Sequence, residues 1–378
     1  MKTETVKGFK DYSGGEARKR AEIRKIIVGA FESYGFEPAE TPVVEYADFV
    51  KGDNAGDEAV SDTFKLKDRG KRDLALRYEF TFQLKRLMNN RKLPYRRYQI
   101  GEVFRDEPIS ERRFRQFTQC DVDVVGSIVK DEAEILALCS EVLNNLGIKP
   151  VILVNNRVLL NEILDDMKVL EKNKLQVLRE VDKYGKMPEV EIQKSLKKLG
   201  AGKLIDYLKK GEGYFKKFDS YSDLISLKKY CKIYGVDILI SPTVVRGLSY
   251  YNGNVFEIKA KDFRESLIAG GSYMFNSVQC TGVAFGLDRI SLLAKIDSCS
   301  GRILVVSLEQ DKESIALAQK LRKKGKSVSI YYGKLSKALE YADSYEFDKI
   351  VFVGEREVKA DKFKIKDMKS GKEDVLKI

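Results

Sequence analysis

FRDEPISERRFRQF, residues 104–117, and GVAFGLDRI, residues 282–290, decide how the rest of this chain reads. Each places one arginine, Arg105 or Arg289, in an apolar strand-like or helix-like context. A guanidinium there costs free energy unless it meets an anion. Two such arginines, far apart in sequence, imply one pocket for a polyanionic small molecule.

The flanks of the first stretch extend the reading. YRRYQIGEVFRDE (95–107) and FRQFTQCDVDVVG (114–126) read as strands. The short basic loop between them, EPISERR (107–113), makes them an antiparallel pair. With a period of two, Phe117, Gln119, Asp121 and Asp123 share one face of the second strand. Thr118, Cys120, Val122 and Val124 share the other. Such a strand fits a half-solvated edge as well as the polar floor of a pocket; the neighbouring Arg105 and Glu107 favour the floor.

Further out, residues 16–34 carry Ile23, Ile26, Ile27, Ala30, Phe31 and Tyr34 at helical spacing, stopped by Gly35. FEPAETPVVEYADFV contains Pro38 and Pro42, so a strand there belongs at an edge or interface. Residues 51–70 are polar and read as a mobile loop. LALRYEFTFQLKRLMNN (74–90) begins strand-like and turns helical, and residues 130–147 form a helix ended by Gly147. From about 156 to 235, Lys, Leu and Glu recur at helical spacing, as in a separate helical insertion. Strands resume over 237–258 and 266–273, followed by a strand-to-helix segment at 282–296. After Gly301 the pattern is β-α-β-α-β, a small α/β domain with a largely parallel sheet. It contains no GxGxxG, so a dinucleotide site is not indicated.

Composition narrows the function. The 378 residues allow two or three domains. A net charge of +12 fits a polyanionic partner such as nucleic acid, and fits a generally lysine-rich composition too. The five cysteines are scattered without a CxxC pair, as expected of reduced thiols in a cytosolic protein and not of a zinc site. No apolar run is long enough to span a bilayer, and the first residues lack the apolar core of a signal peptide. The chain has no histidine. Ser-His-Asp and Cys-His catalysis, His-ligated zinc and His general bases are therefore excluded.

The FRDE and FRQF pair resembles motif 2 of the class II aminoacyl-tRNA synthetases, and GVAFGLDRI resembles their motif 3. VVRGLSYYNGNVFEI (244–258) is similar to the RGLDYY element of the histidyl-tRNA synthetase family. AGGSY (269–273) resembles that family's AGGRYD element, and LALRYEFT (74–81) its substrate-binding strand. QFTQCDVDVVG follows the second motif 2 strand in its archaeal and eukaryotic form. The similarity runs over essentially the whole chain, in order.

The resemblance implies a fold: an α+β class II catalytic domain, mainly antiparallel sheet flanked by helices, over 1–155 and 236–300. A helical insertion would occupy 156–235, and an α/β anticodon-binding domain 301–378. It also implies roles. Arg105 would bind the ATP α-phosphate, Glu107 the adenine amino group, Phe117 the adenine face, and Arg289 the γ-phosphate region. Arginine suits this because its planar fork matches phosphate oxygens and stays charged. Glu79 would hold the substrate α-amino group, with Thr81 beside it, and Gln119 would contact amino acid and adenylate. Asp123 and Tyr251 would bond the two imidazole nitrogens of free histidine, with Tyr250 and Tyr273 closing the pocket. Arg246 would stabilise charge on the α-phosphate, taking part of the role magnesium plays in most of the class. ATP would enter with Mg2+, and no structural metal is expected.

Motif 1, here the 16–34 helix and the Pro42 strand, implies a cytoplasmic homodimer. Arg112 and Arg113 would face the acceptor stem of tRNA(His), and the lysines of the last domain imply salt-sensitive RNA binding. Taken alone, Tyr250 and Tyr251 fit core aromatics, and Asp288 with Arg289 fits a surface ion pair. The alternative function is a non-catalytic paralogue, a regulatory subunit or tRNA-sensing module. Four positions depart from the family pattern and bear on how Tyr251 and Arg246 are placed: Ser249 stands for aspartate, Ser272 and Met274 for arginine and aspartate, and Phe80 for the glycine of bacterial members.

Overall fold

The computed structural model describes residues 2–52, 58–185, 187–245, 250–296 and 301–376. Contacts divide the chain into two units: residues 1–11 with 23–295, and 12–22 with 296–378.

The first unit is organised by an eight-stranded sheet. Its strands, numbered along the chain, are β1 (Glu37–Pro38), β2 (Tyr95–Phe104), β3 (Gln116–Val125), β4 (Pro150–Asn156), β5 (Leu239–Ile240), β6 (Tyr251–Ala260), β7 (Ile268–Phe275) and β8 (Val278–Gly286). The spatial order is β1-β2-β3-β8-β7-β6-β4-β5. Only the outermost pairs, β1 with β2 and β4 with β5, run parallel. Pro38 lies on the two-residue edge strand, where its missing N–H costs no ladder bond.

Alternation along these strands separates two faces. Tyr98, Cys120, Val122, Val124, Val283 and Phe285 turn towards helices. The helix Gly14–Ser33 buries Ile23, Ile27, Ala30 and Phe31, and the Phe31 ring packs 5.6 Å from Tyr98 and 5.3 Å from Phe285. The helix Val129–Asn145 covers β4, β7 and β8. The opposite face carries the polar residues of β3.

Three expectations need correction. The 51–70 stretch is not simply a loop: Lys65–Lys67 pairs with Asp73–Leu76, which pairs with Val44–Tyr46, and Glu58–Ser61 is helical. The KLK strand was hidden because all three of its residues are exposed, leaving no apolar alternation to read. The strand region expected across 237–258 narrows to β5 and β6, and residues 241–245 after β5 lie outside any strand. The helical stretch 156–235 is not wholly apart from the sheet: Arg157–Asp166 packs on β6, and Tyr221–Ile233 packs on Val129–Asn145.

In the second unit, Ser327–Tyr332, Arg302–Ser307 and Lys349–Val353 form a parallel sheet in that order. Two antiparallel strands, Lys364–Asp367 and Glu373–Val375, extend it beyond the expected pattern. Ile303 and Val305 pack with Leu317 and Leu321 on one face, and Leu304 and Val306 with Ala338 and Ala342 on the other. Strands buried on both faces in this way read as the continuous apolar runs seen here.

Candidate active site

The hairpin β2–β3 pairs Arg97 with Asp123, Gln99 with Asp121, Gly101 with Gln119 and Val103 with Phe117. On the other side of β3, Gly282 faces Asp123, Ala284 faces Asp121 and Gly286 faces Gln119. Small residues on β8 therefore leave room above the three polar side chains. A Cβ added at Gly282 would stand 2.0 Å from an Asp123 carboxylate oxygen. One at Gly270 would stand 2.0 Å from the Gly282 carbonyl oxygen. Gly282→Ala is expected to displace the Asp123 carboxylate and to lower stability by about 1–3 kcal/mol, the range for overpacking a tight site. A urea titration showing no loss would refute this close approach.

Asp123 is held from two directions. Arg97 Nη2 lies 2.7 Å from Oδ2, and the Tyr273 hydroxyl donates to Oδ1. Arg97 is fully buried and donates from Nη2 to the Phe80 carbonyl at 3.1 Å. Burial pushes the Asp123 carboxyl up from its usual range, against the pull of Arg97 and the Tyr273 hydrogen bond. Asp121 is pushed up to about 8 by burial, opposed by Arg97 and reinforced by the Asp123 charge.

The tyrosines gather at the far end of this face. A bulge in β6 brings Tyr251 opposite Tyr273. Tyr251 and Tyr273 lie in an apolar cluster with Leu84, Val125 and Val244, and Tyr250 packs against it. The Tyr250 ring is 4.7 Å from Tyr251 and 5.6 Å from Tyr273. Its hydroxyl donates to Glu79 at 3.2 Å. Burial raises both the Tyr250 and Tyr273 phenols well above their ordinary value, so both remain proton donors. Glu79 and Thr81 are buried beside them.

At the other end stand the arginines. Arg105 donates from Nε to the Tyr78 carbonyl at 3.2 Å and from Nη2 to Gln119 Oε1 at 3.4 Å. Its guanidinium lies 5.2 Å from the Phe117 ring centre and 3.8 Å from Glu107. Glu107 is also paired with Arg113 at 2.5 Å, and Arg112 pairs with Glu265 at 3.1 Å. Arg289 donates to the Ser266 carbonyl at 3.0 Å. Burial disfavours its charge, and Arg113 and Arg105 disfavour it further, against the pull of Glu265 and Glu107. Arg105 and Arg289, distant in sequence, thus lie near enough for their charges to interact, among the carboxylates of Glu107 and Glu265. Asp288 accepts from the Thr118 backbone N–H at 2.8 Å and so docks the short helix Leu287–Leu293 on β3.

Arg246 and Ser249 lie outside the described residues. Ser272 turns away from the pocket: on the helix-covered face, its hydroxyl meets Glu132 at 2.5 Å and Thr281 at 2.8 Å. Met274 is about half exposed, and Phe80 is fully buried with its ring 4.7 Å from the Arg77 guanidinium. Sequence reading missed Arg97. Counting outward from the 105–115 turn would have set it opposite Asp123, and that register was the available signal. A concavity of about 580 Å³ lies against the Val44–Tyr46 sheet, between Val50, Val60, Leu66 and Leu74; no candidate site residue lines it.

A sequence model described as histidyl-tRNA synthetase matches residues 8–290, and one described as anticodon binding domain matches 302–378. The chain belongs to the histidyl-tRNA synthetase family. It is 31% identical to histidine–tRNA ligase 2 of Shouchella clausii, over 98% of this chain and 97% of that one. It is 32% identical to histidine–tRNA ligase 1 of Bacillus anthracis, over 99% and 97%. The fold is that of a histidyl-tRNA synthetase crystal structure from a Nostoc species, with a TM-score of 0.86 and 25% identity over 100% of this chain and 97% of the other. A Bacillus halodurans protein titled ATP phosphoribosyltransferase regulatory subunit/histidyl-tRNA synthetase shares the fold at a TM-score of 0.77 and 21% identity, over 93% and 98%. The large antiparallel sheet with its helices is thus the class II catalytic fold, followed by the anticodon-binding unit.

Proposed function

We propose that this member of the histidyl-tRNA synthetase family is a histidine–tRNA ligase. It activates L-histidine with ATP to histidyl-adenylate and pyrophosphate, then transfers histidine to the 3′ end of tRNA(His). One observation carries the reading: the β3 face joins an acidic acceptor, Asp123, fixed by Arg97 and Tyr273, to the amide of Gln119 and the phosphate-binding candidate Arg105. An imidazole N–H meets a fixed acceptor there, and a carboxylate and a phosphate meet nearby cations.

In this reading Arg105, Arg246 and Arg289 stabilise charge on the transferring nucleotide. Glu107 and Phe117 hold adenine; Glu79, Thr81, Gln119, Asp123, Tyr250, Tyr251 and Tyr273 surround histidine. ATP enters as its magnesium complex, and attack of the histidine carboxylate on the α-phosphorus releases pyrophosphate. Placement and charge stabilisation carry the step, and no enzyme imidazole is required. Arg112 and Arg113 face the acceptor stem, and 301–378 binds the anticodon. The catalytic domain is 1–155 with 236–300, and 156–235 is a helical insertion whose first and last helices, Arg157–Asp166 and Tyr221–Ile233, pack on that domain.

The protein acts as a cytoplasmic homodimer. Val43, Val44 and Tyr46 are exposed to 40%, 42% and 58%, an apolar surface beside the motif 1 region that supports a partner subunit. Among the described residues no helix is long and apolar enough to cross a membrane. The form of β3, with aspartates at 121 and 123, supports an archaeal or eukaryotic-like subtype, although the relatives named above are bacterial.

The test is ATP–pyrophosphate exchange. Histidine is expected to stimulate it and other amino acids are not. Folded protein without histidine-dependent exchange would instead support the non-catalytic paralogue, whose fold the Bacillus halodurans neighbour shares.

A further inference from the structure

Asp121 has no role in the site as drawn so far. It lies at the centre of the pocket floor, 4% exposed, between Gln119 and Asp123 on the same strand face. Gln99 of β2 and Ala284 of β8 flank it. The charged groups acting on it are Arg97 and Arg77 on one side, and Asp123 and Glu79 on the other.

Its contacts are specific. The Gln119 amide nitrogen Nε2 donates to both Asp121 carboxyl oxygens, at 3.1 and 3.2 Å. The other end of the same amide, Oε1, accepts from Arg105 Nη2 at 3.4 Å. Turning the amide over would set its N–H groups against the Arg105 donors and lose that bond, and would replace the amide's contact with both Asp121 oxygens by one that only a protonated Asp121 can make. Gln119 is only 5% exposed, so solvent cannot restore what is lost. The orientation of this amide is therefore set by its two neighbours. Arg105 is part-exposed at the nucleotide end of the face, whereas Asp121 is buried in the floor.

We propose that Asp121 is a positioning residue for the amino-acid site: it holds the Gln119 amide with its oxygen towards Arg105, so that substrate meets an acceptor at this point. The proposal rests on the reading above that Gln119 contacts the amino acid. Without Asp121 the amide nitrogen loses its acceptor, and the oxygen is no longer committed to the substrate side.

The test is a double-mutant cycle read by calorimetric Kd for L-histidine, with exchange kinetics alongside. Asp121→Asn keeps an acceptor oxygen in the same place, and its Kd should stay within about threefold of the original. Asp121→Ala and Asp121→Leu remove the acceptor, the second keeping the branched shape at a larger volume. Either should raise Kd about tenfold or more, the scale of one unsatisfied buried donor. In a Gln119→Ala background the same changes should alter Kd less than about twofold, because the group that Asp121 orients is gone. Thermal melts identify which of the Ala and Leu variants is folded, and that one decides. Equal factors in the two backgrounds, or Asn behaving like Ala or Leu, would overturn the role of Asp121. Histidine binding without exchange in the unaltered protein would instead overturn the ligase reading and leave the cycle readable.

Discussion

Arg105→Ala should lower histidine-dependent ATP–pyrophosphate exchange by about a hundredfold to a thousandfold, the usual loss when one pre-aimed donor to developing charge is removed. Arg105 comes from the end of the hairpin, where Nε on the Tyr78 carbonyl and the Phe117 ring beside the guanidinium fix its fork. Lysine offers a single ammonium and cannot reproduce that fork, so Arg105→Lys should recover little of the loss. Thermal stability should change little, because the side chain is part-exposed and its bond to Gln119 is long at 3.4 Å. Exchange kept within tenfold would remove Arg105 from the chemistry.

Arg97→Leu should show the reverse profile, a loss of stability larger than that of other single changes in the site. It leaves the Asp123 carboxyl buried without its counter-ion, and breaking one side of a buried pair costs about 3–5 kcal/mol. The pH dependence has a definite sign. Burial raises Asp123 and Asp121 above their unfolded values, so both acids favour folding most when protonated. Stability from these groups is complete below pH 4 and is lost as pH rises through the folded values, which for Asp121 lies at about 8. Arg97 lowers both acids, so its removal raises them further. The deficit of Arg97→Leu should therefore widen in urea titrations as pH rises above about 8, where Asp121 ionises in the folded original and stays protonated in the variant. A deficit independent of pH would show that Arg97 acts through packing alone.

These two arginines also mark how far the sequence could be read. Arg105 was legible because it interrupts an apolar run beside a turn, and an isolated charge in that context calls for an anion. Arg97 sits in YRRYQI, where nothing local separates it from the exposed-looking Arg96. In the structure Arg97 is fully buried, while Arg96 lies part-buried, 3.4 Å from Asp131. Which of the two turns inward is set by register across the hairpin, a tertiary quantity. Gly282 was likewise invisible, since its need for a missing side chain comes from Asp123 on another strand. Ser272 shows the same limit from the other side. It occupies a family position, yet alternation along β7 sends it beneath the sheet to Glu132 while Tyr273 enters the pocket. The polar Lys65–Lys67 strand and the last two strands escaped because charged residues dominate them and only pairing reveals them.

The histidine-free composition has a spectroscopic consequence at the pocket built by Asp123, Tyr251 and Tyr273. The protein contributes no imidazole carbon or nitrogen nuclei. In a magnetic resonance spectrum of the complex, every imidazole resonance of the sample belongs to bound or free substrate. Under the proposed reading, the tautomer and charge of a histidine ring held beside Asp123 and Tyr251 are thus readable with no competing imidazole from the enzyme.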